Sequence, residues 1–287
     1  MTTLPSTLTV QGVSVPAFLY GTAWKQERTE ALVGEALAAG FRGIDTANQR
    51  RHYFEEGVGA ALRAAFERGE LSRDEVFLQT KLTHAAGHDH RMPYDPAAAY
   101  PLRVRQSFAS SLEHLGVETI DSYVLHGPSS ANGLTTADVR VWKAMEALHR
   151  DGCVRLLGVS NVSSDQLYRL CQLTETPIAF VQNRCFARTG WDALVRRLAA
   201  REGILYQGFS LLTANQAEIA QPVVGEIAAR HDKTRAQVVF RFARQLGMIC
   251  LTGTTDRRHM DDDLAIDSFE LSEEEMKAMA ELGQLDR

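Results

Sequence analysis

Between residues 14 and 255 the chain alternates short apolar runs with longer amphipathic ones, and it does so eight times. The apolar runs at 14–21, 41–47, 120–128, 154–161, 177–183, 204–212 and 248–255 read as strands. One more, within "SRDEVFLQTKL", ends near Lys81. The segments between them repeat apolar residues at helical spacing. In "RTEALVGEALAAG" (28–40), Leu32, Val33, Ala36 and Leu37 share a face and Gly40 stops the run. The same pattern predicts helices at 54–69, at 102–116 closed by Gly116, and at 136–152 with Thr136 as N-cap. Further helices start at Ser163–Ser164 and span 191–203, 222–231 and 234–247, with a last one capped by Ser272 and Gly283. Strands that alternate with helices pair in parallel through right-handed crossovers. Eight such units in 287 residues predict a closed (β/α)8 TIM barrel rather than a doubly wound sheet. No G-x-G-x-x-G follows an early strand, as a dinucleotide-binding open sheet would require. "TLTVQGVSVPA" (7–17) reads as an N-terminal β-hairpin turning at Gln11–Gly12. No linker-like or low-complexity stretch interrupts residues 1–287, so one domain is expected.

A net charge of −5 provides no field to attract nucleic acid or an anionic membrane. No apolar run approaches the roughly 18 residues of a membrane span. "MTTLPSTLTVQG" has no basic segment followed by a long apolar one, so no leader is expected. Cys153, Cys171, Cys185 and Cys250 form no CxxC pair and read as small core residues, which fits a reducing cytoplasmic setting. A monomer or weak dimer acting on a small molecule is the expectation.

In a barrel of this kind, functional groups gather where the strands end. The second strand ends in Asp45, the third in Lys81, the fourth in His126, the fifth in Ser160 and Asn161, and the sixth in Gln182. Tyr53 lies in the loop after the second. Singly, each has an ordinary role: a capping Asp, a Lys reaching solvent, a loop His, a packing Tyr. Together they share one chemistry. A phenol has a pKa of ~10, and a nearby ammonium favours the phenolate. A carboxylate holds the lysine in place, and an imidazole can orient a carbonyl oxygen or share its proton. Such a set acts as a general acid towards a developing alkoxide, which implies carbonyl reduction with a cofactor as hydride source.

"GIDTA", "EEGVGAAL", "FLQTKL", "IDSYVLHGP", "LLGVSN" and "VQN" follow one another in the order and register of the aldo-keto reductase family, which the chain resembles from about residue 17 to 282. The resemblance implies that Asp45, Lys81 and His126 are three of the family's catalytic four. The usual Asp-Thr-Ala-x-x-Tyr would place the tyrosine at position 50, which is Arg50. The loop is longer here, and Tyr53 is the only tyrosine between Tyr20 and Tyr94. Tyr53 is therefore assigned as the acid, with His52 as the competing candidate. The resemblance further implies that Ser160, Asn161 and Gln182 bind the nicotinamide carboxamide. Phe209 replaces the ring-stacking tyrosine, Ser210 and Leu212 lie near the pyrophosphate, and Trp24 forms part of the substrate-pocket wall. At the adenosine end, the family's Lys-Ser, Arg and Asn positions read Gly253, Thr254, His259 and Asp263. Both cations for a 2′-phosphate are missing there. Thr254, Arg257 or Arg258 are the available substitutes, and Asp261, Asp262 and Asp263 disfavour added negative charge. NADP(H) is the expected cofactor, with NAD(H) as the alternative.

Two other readings stay open at this point. "THAAGHDH" holds His84, His88, Asp89 and His90, a set that a metal-dependent barrel hydrolase could use. The altered tyrosine loop also leaves room for a non-catalytic barrel that binds cofactor. The loops at 84–100 and 128–137 and the tail after Gly283 would choose the substrate.

Overall fold

The computed structural model describes residues 5–283. The chain enters through a hairpin of β1 (Thr7–Val10) and β2 (Val13–Pro16), with Val10 opposite Val13. Its turn residues, Gln11 and Gly12, both have positive φ, 48° and 79°, as a type I′ turn requires. β3 (Phe18–Gly21) follows at once. The run at 14–21, expected as one strand, is therefore two. Pro16 has no N–H for a further rung, so the hairpin ends there. Ala17 then bonds to both sheets, donating to Ser6 O and accepting from Cys250 N.

The barrel continues through β4 (Gly43–Asp45), β5 (Phe77–Leu82), β6 (Ile120–Leu125), β7 (Val154–Ser160), β8 (Ile178–Arg184), β9 (Leu205–Phe209) and β10 (Ile249–Thr252). Every neighbouring pair is parallel, and β10 closes on β3 with Cys250 beside Phe18. This is the (β/α)8 barrel with an N-terminal hairpin that the alternation predicts. The surrounding helices are α1 (Thr29–Ala39), α2 (Glu55–Glu67), α3 (Tyr100–Leu115), α4 (Thr136–Arg150), α5 (Ser164–Leu173) and α6 (Ala193–Arg201). After them come α7 (Gln216–Ile219), α8 (Pro222–His231), α9 (Arg235–Gln245), α10 (Arg257–Leu264) and α11 (Glu273–Glu281). α7 and α10 were not anticipated, because neither segment carries a long apolar stripe. The N-cap of α4 is Thr135, not Thr136: its hydroxyl accepts from Asp138 N while the Asp138 carboxylate takes the Thr135 N–H, and that reciprocal pair sets the register. Among the described residues no helix is long and apolar enough to cross a membrane.

Strand alternation sorts the barrel interior into layers. Phe77, Gln79 and Lys81 lie on one face of β5, and Leu78, Thr80 and Leu82 on the other. Phe77 joins Leu19, Leu156, Phe180 and Ile249 in an apolar layer packed against Val10, Val13 and Val15 of the hairpin. Above it the interior turns polar. Gln79 Nε2 donates to Asp45 Oδ1 at 2.7 Å and to Gln207 Oε1 at 2.8 Å, and Gln79 Oε1 accepts from Ser122 Oγ at 2.9 Å. Buried amides cost little only when bonded in this way.

On the outer face of β5, the Thr80 hydroxyl donates to Glu55, a buried carboxylate at the start of α2. His114 Nδ1 of α3 lies 3.2 Å from the other Glu55 oxygen. The bond to Glu55 holds the His114 pKa above its ordinary value, outweighing burial. A raised folded-state pKa stabilises below the unfolded value, about 6.5, and that stabilisation is lost as pH rises through the folded value. The unfolding free-energy gap between wild type and His114→Gln should therefore be larger at about pH 6 than at about pH 8.5. Denaturant titrations at the two pH values check this; a gap that widens with pH contradicts it.

Candidate active site

Barrel closure brings Asp45, at the end of β4, against Lys81 of β5. All three Lys81 N–H bonds are engaged: Nζ donates to Asp45 Oδ1 at 2.7 Å, to Asp45 Oδ2 at 2.7 Å and to Thr46 O at 2.8 Å. Both residues are buried, Lys81 fully. Asp45 Oδ1 also accepts from Gln79 and, at 3.0 Å, from Gln182 Nε2. Burial pulls the lysine pKa down, and the charges of Asp45 and Glu55 oppose it.

Tyr53 lies over this pair, with Lys81 Nζ 5.3 Å from the centroid of its ring. The Tyr53 ring stands edge-on to His126, centroids 5.7 Å apart and planes at 72°. The expected lowering of the phenol pKa is corrected here. Burial, and then the Asp45 carboxylate, push it up. Lys81 has no N–H left for the phenol oxygen, so the hydroxyl keeps its proton at neutral pH. Burial, followed by the charge on Lys81, pushes the His126 imidazole down to about 3, so it is neutral. Its Nδ1 lies 2.7 Å from Thr83 Oγ1. Thr83 is buried, and its backbone oxygen is used elsewhere, accepting from Tyr94 OH at 2.7 Å.

The longer tyrosine loop is pinned along its length. Asn48 Nδ2 donates to Ser107 O at 3.1 Å, and Gln49 Nε2 to Gly87 O at 2.8 Å. Arg50 stands where a shorter loop would place the tyrosine, and its Nη1 donates to Gln26 Oε1 at 2.8 Å with the guanidinium 4.1 Å from the Phe54 ring centroid. The N–H groups of His52 and Tyr53 both reach Gln49 O, a tight turn that brings Tyr53 back over Lys81. His52 stacks instead on Trp24, ring centroids 3.9 Å apart. Trp24 is 71% exposed and forms a rim.

Of the residues assigned from the sequence to the catalytic set, the cofactor and the pocket wall, all but Lys81 and the substitutes Arg257 and Arg258 line one cleft of ≈ 790 Å³. Lys81 lies beneath its floor, bonded to Asp45. Asn161 Nδ2 donates to His126 O at 2.7 Å and to Ser160 Oγ at 3.1 Å. Gln182 Nε2 donates to Asp45 and to Gln207. Among the described residues, both amide oxygens lack a donor and the Ser160 proton lacks an acceptor. Two acceptors and one donor match the NH2 and C=O of a primary carboxamide. Phe209, also on the wall, offers an aromatic face for stacking. The residues present therefore fit a nicotinamide.

The wall near β10 and α10 carries Thr254, His259, Asp262 and Asp263. Asp263 is almost fully buried, and that burial raises its pKa to about 7. Arg257 turns away to Asp261, 3.1 Å distant, and neither it nor Arg258 lines the cleft. The lysine and arginine that do line it are Lys25 and Arg184. The histidines of "THAAGHDH" diverge: His84 Nε2 lies 2.9 Å from Asp138, while His88 Nε2 lies 3.1 Å from Thr83 O. Among the described residues no three His, Cys, Asp or Glu side chains gather as a metal site. Residues 284–287, the tail expected to leave the pocket open, lie outside the described residues.

Sequence reasoning missed Gln79, Gln207, Thr83 and Lys25. For Gln79 a signal exists: a glutamine two positions before Lys81 in an otherwise apolar strand shares its inward face. Lys81→Met leaves Asp45 buried without its cation and should cost about 3–5 kcal/mol of stability. Denaturant unfolding measures it, and a loss within error of zero would mean that the ion pair adds nothing to stability.

Residues 19–214 match the aldo/keto reductase family. An aldo-keto reductase from Mycobacterium sp. (strain KMS) is 32% identical over 94% of this chain and 90% of its own. Methylglyoxal reductase DkgA from Salmonella typhimurium is 29% identical over 98% of this chain and 94% of its own. A solved aldo-keto reductase complexed with NADPH has a TM-score of 0.82 over 98% of this chain and 88% of its own, at 20% identity, a likeness of fold. Similarity this extensive, together with the cleft at the mouth of the barrel, leads to one conclusion: the chain belongs to the aldo-keto reductase family and is an NAD(P)H-dependent oxidoreductase.

Proposed function

We propose that the protein reduces small aldehydes or ketones to alcohols, with Tyr53 as general acid and NADP(H) as donor, NAD(H) being the alternative. The observation that carries this is the placement of Tyr53 and His126 above the buried Asp45–Lys81 pair, beside three side chains that complement a carboxamide. Ser160, Asn161 and Gln182 would hold that carboxamide and Phe209 would stack on the ring. Ser210 and Leu212 would follow the pyrophosphate, and Thr254, His259 and Asp263 would meet the adenosine. The bound nicotinamide would supply the hydride. Similarity to a methylglyoxal reductase favours a small oxo-aldehyde among carbonyl substrates, entering past Trp24.

His126 orients the carbonyl through Nε2, and Thr83 decides that this nitrogen carries the proton. Were Nδ1 protonated, the buried Thr83 hydroxyl would have no acceptor, at a cost of about 1–3 kcal/mol. The hydroxyl therefore donates to Nδ1, and Nε2–H points away from it into the cleft. Tyr53 transfers its proton as negative charge grows on the carbonyl oxygen. An alkoxide is a stronger base than a phenolate, so the transfer is downhill even from a phenol whose pKa burial has raised. The phenolate then faces the Lys81 ammonium, a preorganised positive charge that acts when charge develops.

Tyr53→Phe should lower kcat by about 10²–10⁴-fold and leave the cofactor Kd nearly unchanged; wild-type kcat in this variant would refute the acid assignment. Thr83→Val should lower kcat about tenfold, ~1.4 kcal/mol, with Thr83→Ser restoring it. The tautomer of His126, read by nitrogen NMR, should move from Nε2–H in wild type towards a mixture in the valine variant.

A further inference from the structure

We infer, on the reading of Tyr53 as general acid, that one face of α3 positions that acid by gripping both ends of the segment that carries it, with His114 and Ser110 as positioning residues. Ser107, Ser110 and His114 recur at helical spacing on α3 and so share a face. Ser107 is fully buried, and Ser110 and His114 are partly so. Asn48, at the head of the segment, donates through Nδ2 to Ser107 O at 3.1 Å and to Ser110 Oγ at 3.1 Å. Glu55, at its tail, lies 3.2 Å from His114 Nδ1. Ser110 Oγ and His114 Nε2 are 3.5 Å apart, which joins the two tethers. Tyr53 falls between them in the chain.

The donors run in one direction. The Glu55 carboxylate only accepts, so Nδ1 carries a proton. In the neutral imidazole Nε2 then accepts from the Ser110 hydroxyl, whose oxygen takes the Asn48 N–H. When the ring is charged it stands between Glu55 and Glu56, whose Oε1 is 3.7 Å from Nε2. Both ends of the segment also touch β5, beside the lysine under the site. Asn48 N donates to Lys81 O at 3.2 Å, and the Thr80 hydroxyl donates to Glu55. Helix and strand together close a frame around residues 48–55. Gly59 sets how tight the frame is: a Cβ there would lie 2.2 Å from His114 O, so α2 and α3 meet backbone to backbone one turn beyond Glu55. Glu55 is 2% exposed, and a carboxylate that deep needs its donors. Removing His114 or Ser110 therefore frees one end of the segment. A reacting group misplaced by about 1 Å can cost about a hundredfold in rate.

His114→Leu, His114→Asn, Ser110→Ala and the Ser110→Ala, His114→Leu double variant test this in the full chain, with NADPH and methylglyoxal as probes. His114→Leu should lower kcat about tenfold or more and leave the NADPH Kd unchanged. Its solvent deuterium isotope effect on kcat should rise, because a misplaced acid makes proton transfer limiting. Asparagine places an amide where Nδ1 stood, so His114→Asn should recover most of kcat. Ser110→Ala should cost about fivefold, the worth of one ordinary hydrogen bond. The double variant should lose less than the product of the two, since both tethers hold one loop. Amide exchange, read by mass spectrometry, should quicken in peptides covering 48–55 and stay at wild-type rates in α8 and α9. Unchanged kcat in both single variants, or unchanged exchange at 48–55, overturns the inference. A loss that His114→Asn does not recover, or a double variant that loses the full product, also counts against it. Where His114→Leu does not fold, Ser110→Ala decides by the same kcat and exchange readings. Wild type that reduces no carbonyl would refute the functional reading, a separate result, and exchange at 48–55 then decides whether α3 holds the loop.

Discussion

The ion pair between Lys81 and Asp45 is the interaction on which the site depends. Two charges out of water are tolerable only when each is fully bonded, and these are: the ammonium gives all its protons to Asp45 and Thr46, and the carboxylate takes further bonds from Gln79 and Gln182. Those glutamines are themselves held by Gln207 and Ser122. A polar layer thus lies inside the barrel between the apolar plug and the open mouth. It fixes the position of the positive charge to within the play of several short bonds, and Tyr53 and His126 are arranged above it.

That arrangement changes what the lysine does. A free ammonium beside a phenol would lower the pKa of the resting hydroxyl. Here the lysine commits its hydrogen bonds to the carboxylate and Thr46, and burial wins: the phenol remains protonated and the imidazole neutral. Both groups are then uncharged in the resting site. In the proposed reaction the charge beneath them would act when negative charge develops on the phenol oxygen, as in a preorganised site, rather than through a standing shift in acidity.

The tyrosine loop holds Tyr53 over the buried ion pair by its turn and not by its length. Arg50 occupies the position a shorter loop would give to the tyrosine, but it is drawn to Gln26 and Phe54 on the rim. The turn at Gln49 absorbs the extra residues and returns Tyr53 to the ring of strand ends, while His52 is taken up by Trp24.

Much of this was legible beforehand. Eight alternations of apolar strand and amphipathic helix force a parallel barrel, because each parallel strand needs a crossover and each helix a face to cover. Strand ends carrying Asp45, Lys81, His126, Ser160 and Gln182 then have to meet, since closure leaves their side chains one mouth to share. What sequence could not decide was anything that depends on distance across the barrel. The polar layer of Gln79 and Gln207, the hydroxyl that Thr83 sets beside His126, and the reach of Lys25 to Gly253 join residues 34 to 228 positions apart. Periodicity fixes which face a residue takes; only the closed sheet decides which partner waits there, and with it the sign of each pKa shift.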